Sequence, residues 1–324
     1  LKPVSVTYVN QGQIRADGAL ALQALRKRAA EWDVPLEEQG PDLCFRIWNS
    51  QALLQPRDGG LDVKLTAPED RLLQTLQGAL TEICEESGVR IEWDAVDEGA
   101  LAPGLSLMRV VSVTRRSPGF MRVRLQGEDA ARLGTGSLHF RLLLPARGRT
   151  PRWPRIAASG RTVWPDGEDA MHRPVYTTAA QEGDWLDFDI FRHAGSPTSD
   201  WAENDPVGQT VGVMGPGGGW CPQGSPLYLF GDQTALPAIC RMLALAGGDV
   251  KAFVCAAECD LCDLAGDRRV TVVPDLVAAL EATETPGGAH VWFAGHADAA
   301  RAARQRLTAR GLSKRDFTAA AYWS

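Results

Sequence analysis

The sequence predicts a multidomain protein: a small α+β domain over residues 1–98, a six-stranded antiparallel β-barrel over 104–222, and an α/β domain with a parallel sheet over 223–324. Three observations carry this. A chain of 324 residues exceeds what one hydrophobic core usually organises. Between Leu107 and Met214, short apolar segments alternate with turn residues at the spacing of a small barrel. After Gly215-Pro216-Gly217-Gly218-Gly219 the pattern changes to short apolar strands separated by helices, as expected of a parallel sheet with covered faces.

Taken in order, Val4 to Val9 reads as a strand, and Leu20, Leu22, Leu25 and Ala29 as one helical stripe after a cap at Asp17. Strands follow at Leu43 to Trp48, Ala52 to Leu54 and Leu61 to Leu65. Pro56 to Gly60 carries the hairpin signal between the last two. A second helix starts after Thr66, with Pro68, Glu69 and Asp70 suited to its first turn. Its stripe is Leu72, Leu73, Leu76, Leu80 and Ile83; Gly88 ends it, and Val89 to Trp93 forms a final strand. Asp94 to Pro103 reads as a linker.

The barrel strands are Leu107 to Thr114, Met121 to Leu125, Leu138 to Leu144, Val175 to Thr178, Leu186 to Phe191 and Gln209 to Met214, with Pro145 to Gly167 as a surface loop. The parallel sheet takes Leu227 to Phe230, Val250 to Val254, Val270 to Val273, Val291 to Ala294 and Thr318 to Trp323. Its helices are Thr234 to Leu245, Leu276 to Glu281 and Ala297 to Arg310.

Composition narrows the function. With 44% hydrophobic and 23% charged residues the chain is globular, and a net charge of −6 argues against a general nucleic-acid surface. No apolar run approaches the roughly 20 residues of a membrane span, and no signal peptide is visible. Leu1 stands where a Met would, so an upstream segment is expected. Seven cysteines, an odd number scattered through a large chain, fit reduced thiols and a cytoplasmic location.

Chemistry concentrates between His172 and Trp201. An arginine, an aromatic and neighbouring hydroxyls (Arg173, Tyr176, Thr177, Thr178) occupy one strand region. The turn from His193 through Ser196, Thr198 and Ser199 then opens a short helix carrying Trp201. Such a pair suits a flat heterocycle with a phosphate tail: the aromatic covers the ring, hydroxyls meet its polar edge, and amides at the helix start face the anion. The bland alternatives are an ordinary strand pair at Tyr176-Thr177 and a plain helix cap at Ser196-Pro197-Thr198-Ser199. Trp201 serves either an adenine or the barrel.

These residues resemble the flavin site of the siderophore-interacting proteins, FAD-dependent ferric-siderophore reductases built like ferredoxin reductases. The family pattern is Arg-x-Tyr-Thr followed by His-Gly and Gly-Pro-Ala-Ser-x-Trp-Ala; here the second block is Ser196-Pro197-Thr198-Ser199-Asp200-Trp201-Ala202. The likeness continues in Gly231-Asp232-Gln233-Thr234-Ala235-Leu236-Pro237-Ala238-Ile239 and in Tyr322-Trp323. It implies FAD on the barrel, with Arg173, Tyr176, Thr177, Thr178, His193, Ser196, Thr198, Ser199 and Trp201 as contacts. Asp232, Thr234, Ala235, Tyr322 and Trp323 join them from the α/β domain, and NAD(P)H or a redox partner protein supplies electrons.

The resemblance makes the substrate a ferric siderophore and requires no catalytic side chain, because the flavin carries the chemistry. Alternatives are a flavin reductase serving another acceptor and a ferric-chelate binder without turnover. The chain departs from the family pattern in several places: two residues rather than one separate Arg173 from Tyr176, Ala179 replaces an arginine, Arg192-His193 stands where the family has His-Gly, Ser196 replaces a glycine, and His296 an acidic residue. No Gly-x-Gly-x-x-Gly follows any strand. Residues 1–98 resemble a small domain of unassigned function found beside some of these proteins. Cys255, Cys259 and Cys262 look like half a metal site without a fourth ligand, so no metal is expected. His139 and His290 read as packed residues.

Overall fold

The computed structural model describes residues 7–47 and 49–324. The chain divides into two compact units: residues up to Leu105 together with Pro145–Met171, and Ser106–Leu144 together with His172–Ser324.

The first unit contains β1 (Tyr8–Ile14), α1 (Gly18–Glu31), β2 (Leu36–Gln39), β3 (Asp42–Ile47), β4 (Ser50–Pro56), β5 (Leu61–Ala67), α2 (Asp70–Glu86) and β6 (Glu92–Trp93), in a sheet ordered β2-β3-β4-β5-β1-β6. β1 begins later than the apolar run suggested, and Val4 to Val6 lie outside the described residues, as does Trp48. Polar Asn10 and Gly12 sit at inward positions of β1 beside Ile14, which hid the alternation. The buried stripe of α1 is Gly18, Ala21, Leu25 and Ala29, while Leu20 faces outward and Asp17 makes no side-chain cap bond. α2 buries Leu73, Leu76, Leu80 and Ile83 as expected.

Ser106 opens the second unit, whose first barrel elements are β7 (Leu105–Arg115), β8 (Phe120–Gln126), α3 (Ala130–Leu133) and β9 (His139–Leu143). The chain then returns to the first unit. Pro145 to Gly167, expected as a surface loop, contains the hairpin β10 (Arg155–Ile156) and β11 (Thr162–Val163), and Arg161 reaches Glu82 and Glu85 of α2. Arg147 to Arg152 are exposed, while Pro154, Ile156 and Gly160 are buried.

Back in the second unit, β12 (Val175–Glu182), β13 (Trp185–Phe191), α4 (Pro197–Glu203) and β14 (Thr210–Gly217) complete a closed barrel ordered β12-β13-β8-β7-β14-β9. The alternation Leu186-Asp187-Phe188-Asp189-Ile190 sends Leu186, Phe188 and Ile190 into the core. Asp187 and Asp189 lie opposite Arg124 and Arg122 in the β8 register, and each pair is bidentate at 2.8 Å.

The remaining elements are β15 (Leu227–Asp232), α5 (Leu236–Leu245), β16 (Val250–Cys255), β17 (Val270–Val272), α6 (Leu276–Ala282), β18 (His290–His296), α7 (Ala297–Ala309) and β19 (Phe317–Trp323). All five strands run parallel in the order β17-β16-β15-β18-β19, with apolar clusters on both faces. A six-stranded antiparallel barrel followed by this sheet is the ferredoxin-reductase-like arrangement expected. No helix among the described residues is long and apolar enough to cross a membrane.

Barrel and sheet are joined within this unit by polar contacts. Arg116 donates to Asp189 at 2.8 Å and to Asp263 at 2.7 Å, and Asp260 accepts from Ser117 Oγ and Gly119 N, each at 2.7 Å.

Candidate functional site

β12 brings Tyr176 and Thr177 to opposite faces of one strand. Tyr176 lies against the barrel core, 5.0 Å from the Phe188 ring, and its phenol hydrogen-bonds with Thr198. Burial pushes this phenol up to about 12, so it stays protonated at physiological pH. Thr198 sits in the first turn of α4, where its Oγ1 also meets His172 Nε2 at 3.0 Å. Ser196 caps the helix by accepting from Ser199 N at 3.2 Å, and Ser199 Oγ accepts from His193 N at 3.4 Å.

On the other face, Thr177 Oγ1 meets His139 Nδ1 at 2.9 Å, and His139 Nε2 meets Tyr322 Oη at 3.1 Å. Burial first, and the Arg241 cation second, push the His139 imidazole down to about 4, so it is neutral. Beside Tyr322, Trp323 donates Nε1–H to Asp232 Oδ2 at 2.8 Å; its ring lies 4.7 Å from that of His296 and 6.5 Å from that of His193. Asp232 is buried at the carboxyl end of β15, where it also accepts from Thr234 N, Thr234 Oγ1 and His296 N.

The contacts close on themselves. From Tyr176 they run through Thr198 and the α4 turn to His193, across to Trp323 and Tyr322, through His139 to Thr177, and so back to Tyr176. Residues separated by more than 140 positions thus share the edge where the barrel meets the carboxyl ends of β15, β18 and β19, the side of a parallel sheet that ligands favour.

The sequence-derived residues do not all join this circuit. Arg173 lies exposed just before β12, and its carbonyl accepts from Arg141. Thr178 is buried, with its carbonyl accepting from Arg241. Ala235 is fully buried beneath Gly231, where a Cβ would approach the Ala235 methyl to 2.7 Å. Trp201 packs on the barrel cluster and donates to Gln209 at 3.1 Å.

Sequence reasoning missed two participants. His139 is packed as expected but also bonds through both ring nitrogens. Arg241, the single charged residue of α5, donates to the carbonyls of Leu138, Thr178 and Gly134. A lone cation in an otherwise apolar helix was the signal available. Cys255 donates to Pro274 O and Cys259 is exposed; among the described residues no three His, Cys, Asp or Glu side chains form a metal-holding group.

The arrangement fits a flavin dinucleotide. Trp323 is 40% exposed, giving an aromatic face at the edge. His193 and Gly195 are open to solvent at the start of α4, and a Cβ on Gly195 would meet nothing within 4 Å, leaving backbone accessible to a diphosphate.

Barrel, parallel sheet and circuit together define a protein of the ferredoxin-reductase-like class. Residues 109–220 match the siderophore-interacting FAD-binding domain, and residues 225–324 match the siderophore-interacting protein family. A siderophore utilization protein from T. fusca is 30% identical, the match covering 71% of this chain and 95% of that one with a TM-score of 0.55. The siderophore-interacting protein SipS from Aeromonas hydrophila shares the fold at 24% identity and a TM-score of 0.54, over 68% of this chain and 91% of its own. Ferric vibriobactin reductase ViuB of Vibrio cholerae is 29% identical over 154 residues, 43% of this chain and 53% of ViuB. The chain thus spans about half the length of this curated relative. This chain belongs to the siderophore-interacting, FAD-binding protein family; the matches to the two family domains begin at residue 109.

Proposed function

We propose that this protein is a flavin oxidoreductase that reduces a ferric siderophore and so releases Fe(II), with FAD on the 104–222 barrel and a pyridine nucleotide at the 223–324 domain. The observation that carries this reading is the closed circuit from Tyr176 to Trp323. The T. fusca and Vibrio cholerae relatives, a siderophore utilization protein and a ferric vibriobactin reductase, support it. FAD held there would supply the redox chemistry between the electron donor and the chelated iron.

The chain's own residues hold and shield. Tyr176 lines the ring site from the barrel while Thr177 offers a polar group at its edge. Ser196, Thr198, Ser199 and His193 shape the anion end, and Arg173 contributes a positive charge near it. Trp323, latched by Asp232, screens the opposite side. No side chain acts as acid or base on the iron chelate. Hard oxygen ligands hold Fe(II) far less tightly than Fe(III), so electron delivery alone frees the metal. Free thiols at all seven cysteines suit a reducing compartment such as the cytoplasm.

The test is an absorbance spectrum of purified protein after incubation with FAD, then anaerobic titration with NADH and NADPH and addition of ferric siderophore. A flavin spectrum bleached by one nucleotide and restored by ferric siderophore with Fe(II) formation is expected. Restoration only by a different acceptor would move the assignment to a flavin reductase, and failure to take up FAD would end it.

A further inference from the structure

Three strands distant in sequence share one imidazole. Thr177 of β12 meets His139 Nδ1 at 2.9 Å, and Tyr322 of β19 meets Nε2 at 3.1 Å, edge to the ring at 85°. His139, on β9, is only 7% exposed. Gly218 closes another side: a Cβ there would stand 3.0 Å from the His139 Cβ and Cδ2 atoms.

The charged groups around it leave it neutral. Arg241 of α5 lies nearby with three backbone carbonyls as partners and, among the described residues, no carboxylate bond. The other titratable groups in its surroundings are the Tyr322 phenol, bonded to it, and Asp232, which acts on Tyr322 from the end of β15. Burial and the Asp232 charge both raise the Tyr322 pKa, keeping its proton in place.

A neutral imidazole has one N–H and one lone pair. Its two hydroxyl partners cannot both donate to it, nor both accept from it. A phenol is a stronger hydrogen-bond donor than an aliphatic hydroxyl, which favours Tyr322 over Thr177 as the group that donates to the imidazole, at Nε2. Nδ1 then carries the ring hydrogen and donates to Thr177 Oγ1, which leaves the Thr177 proton free to point away from the imidazole.

We propose that His139 is a positioning residue which, oriented by Tyr322, makes the Thr177 hydroxyl an outward hydrogen-bond donor at the site of the flavin edge. This rests on the flavin reading above and adds what that reading lacks: a direct link from the C-terminal strand to the polarity of a group on the barrel. His139 bonds both Thr177 and Tyr322, so their effects are tied.

Two measurements test it. In protein with 15N-labelled histidine, and without FAD, ring-nitrogen spectra assigned with His139→Gln are expected to show hydrogen on Nδ1 in wild type. Tyr322→Phe, which keeps the ring, should move it to Nε2. Hydrogen on Nε2 in wild type, or a tautomer unchanged in Tyr322→Phe, overturns the proposal. With FAD, Tyr322→Phe and Thr177→Val should each weaken binding about fivefold, the loss of one hydrogen bond. The double variant should lose about fivefold as well, not twenty-five. Multiplying losses overturn the link. Wild type that takes no FAD refutes the flavin reading and the outward role of Thr177, while the tautomer spectra still decide whether Tyr322 orients His139.

Discussion

Tyr176 offers a graded perturbation because its hydroxyl and its ring have different neighbours. In Tyr176→Phe the ring keeps its contact with Phe188, and Thr198 keeps His172 as a partner at 3.0 Å. No buried polar group is stranded, so the expected cost is one hydrogen bond, about 1 kcal/mol in stability. FAD affinity should stay within about fivefold of wild type. Tyr176→Ala removes the ring from the barrel cluster, an aromatic truncation that costs about 3–5 kcal/mol. It also deletes a stacking surface worth about 1–3 kcal/mol per ring, so FAD binding should fall by about 5- to 150-fold. Flavin fluorescence titration reports the affinity, and denaturant unfolding the stability. An alanine variant that retains FAD as tightly as the phenylalanine variant would refute the placement of the flavin at this strand, whatever its stability.

Further outcomes follow from individual contacts. The His139 imidazole has a folded pKa of about 4 against an ordinary 6.5, so below pH 6.5 the unfolded chain binds a proton that the folded chain refuses. Stability contributed here is present at neutral pH and lost as pH falls towards 4. The loss reaches about 2 kcal/mol at pH 5, and His139→Gln should flatten that part of the acid profile in denaturant titrations. Asp232→Ala strips Trp323 Nε1, Thr234 and His296 N of a shared acceptor; it should increase iodide quenching of Trp323, measured as the difference from the same variant carrying Trp323→Phe. Gly231→Ala places a methyl 2.7 Å from both the Ala235 Cβ and the Ile239 Cδ1, and should cost about 1–3 kcal/mol by thermal unfolding. Arg161→Ala, by contrast, removes half-exposed ion pairs with Glu82 and Glu85 and should shift stability by less than about 1 kcal/mol.

Much of the architecture was legible because local patterns coincide with their tertiary use. The Leu186–Ile190 alternation of apolar and acidic residues is also the alternation of barrel core and Arg-paired face. The uninterrupted apolar runs of β15 and β18 are buried on both sides by α5, α6 and α7. Ser196 announced itself as a cap, and it accepts a backbone N–H group just beyond it. Where a polar residue serves an inward position, as Asn10 does through its bond to Gln77, periodicity failed, because composition records hydrophobicity and not partnership.

Residue order by itself determined the succession of elements, the barrel followed by a parallel sheet, and the concentration of hydroxyls and aromatics in the Tyr176 to Trp201 stretch. Only the tertiary structure decided that Pro145–Met171 docks back on the first unit, that Trp201 belongs to the barrel, and that Thr177, His139 and Tyr322 are one hydrogen-bonded line. The physical reason is range. Helix and strand periodicities are set by neighbours a few residues away, whereas a buried hydroxyl or imidazole must find its partner wherever the folded chain supplies one, here across 183 positions.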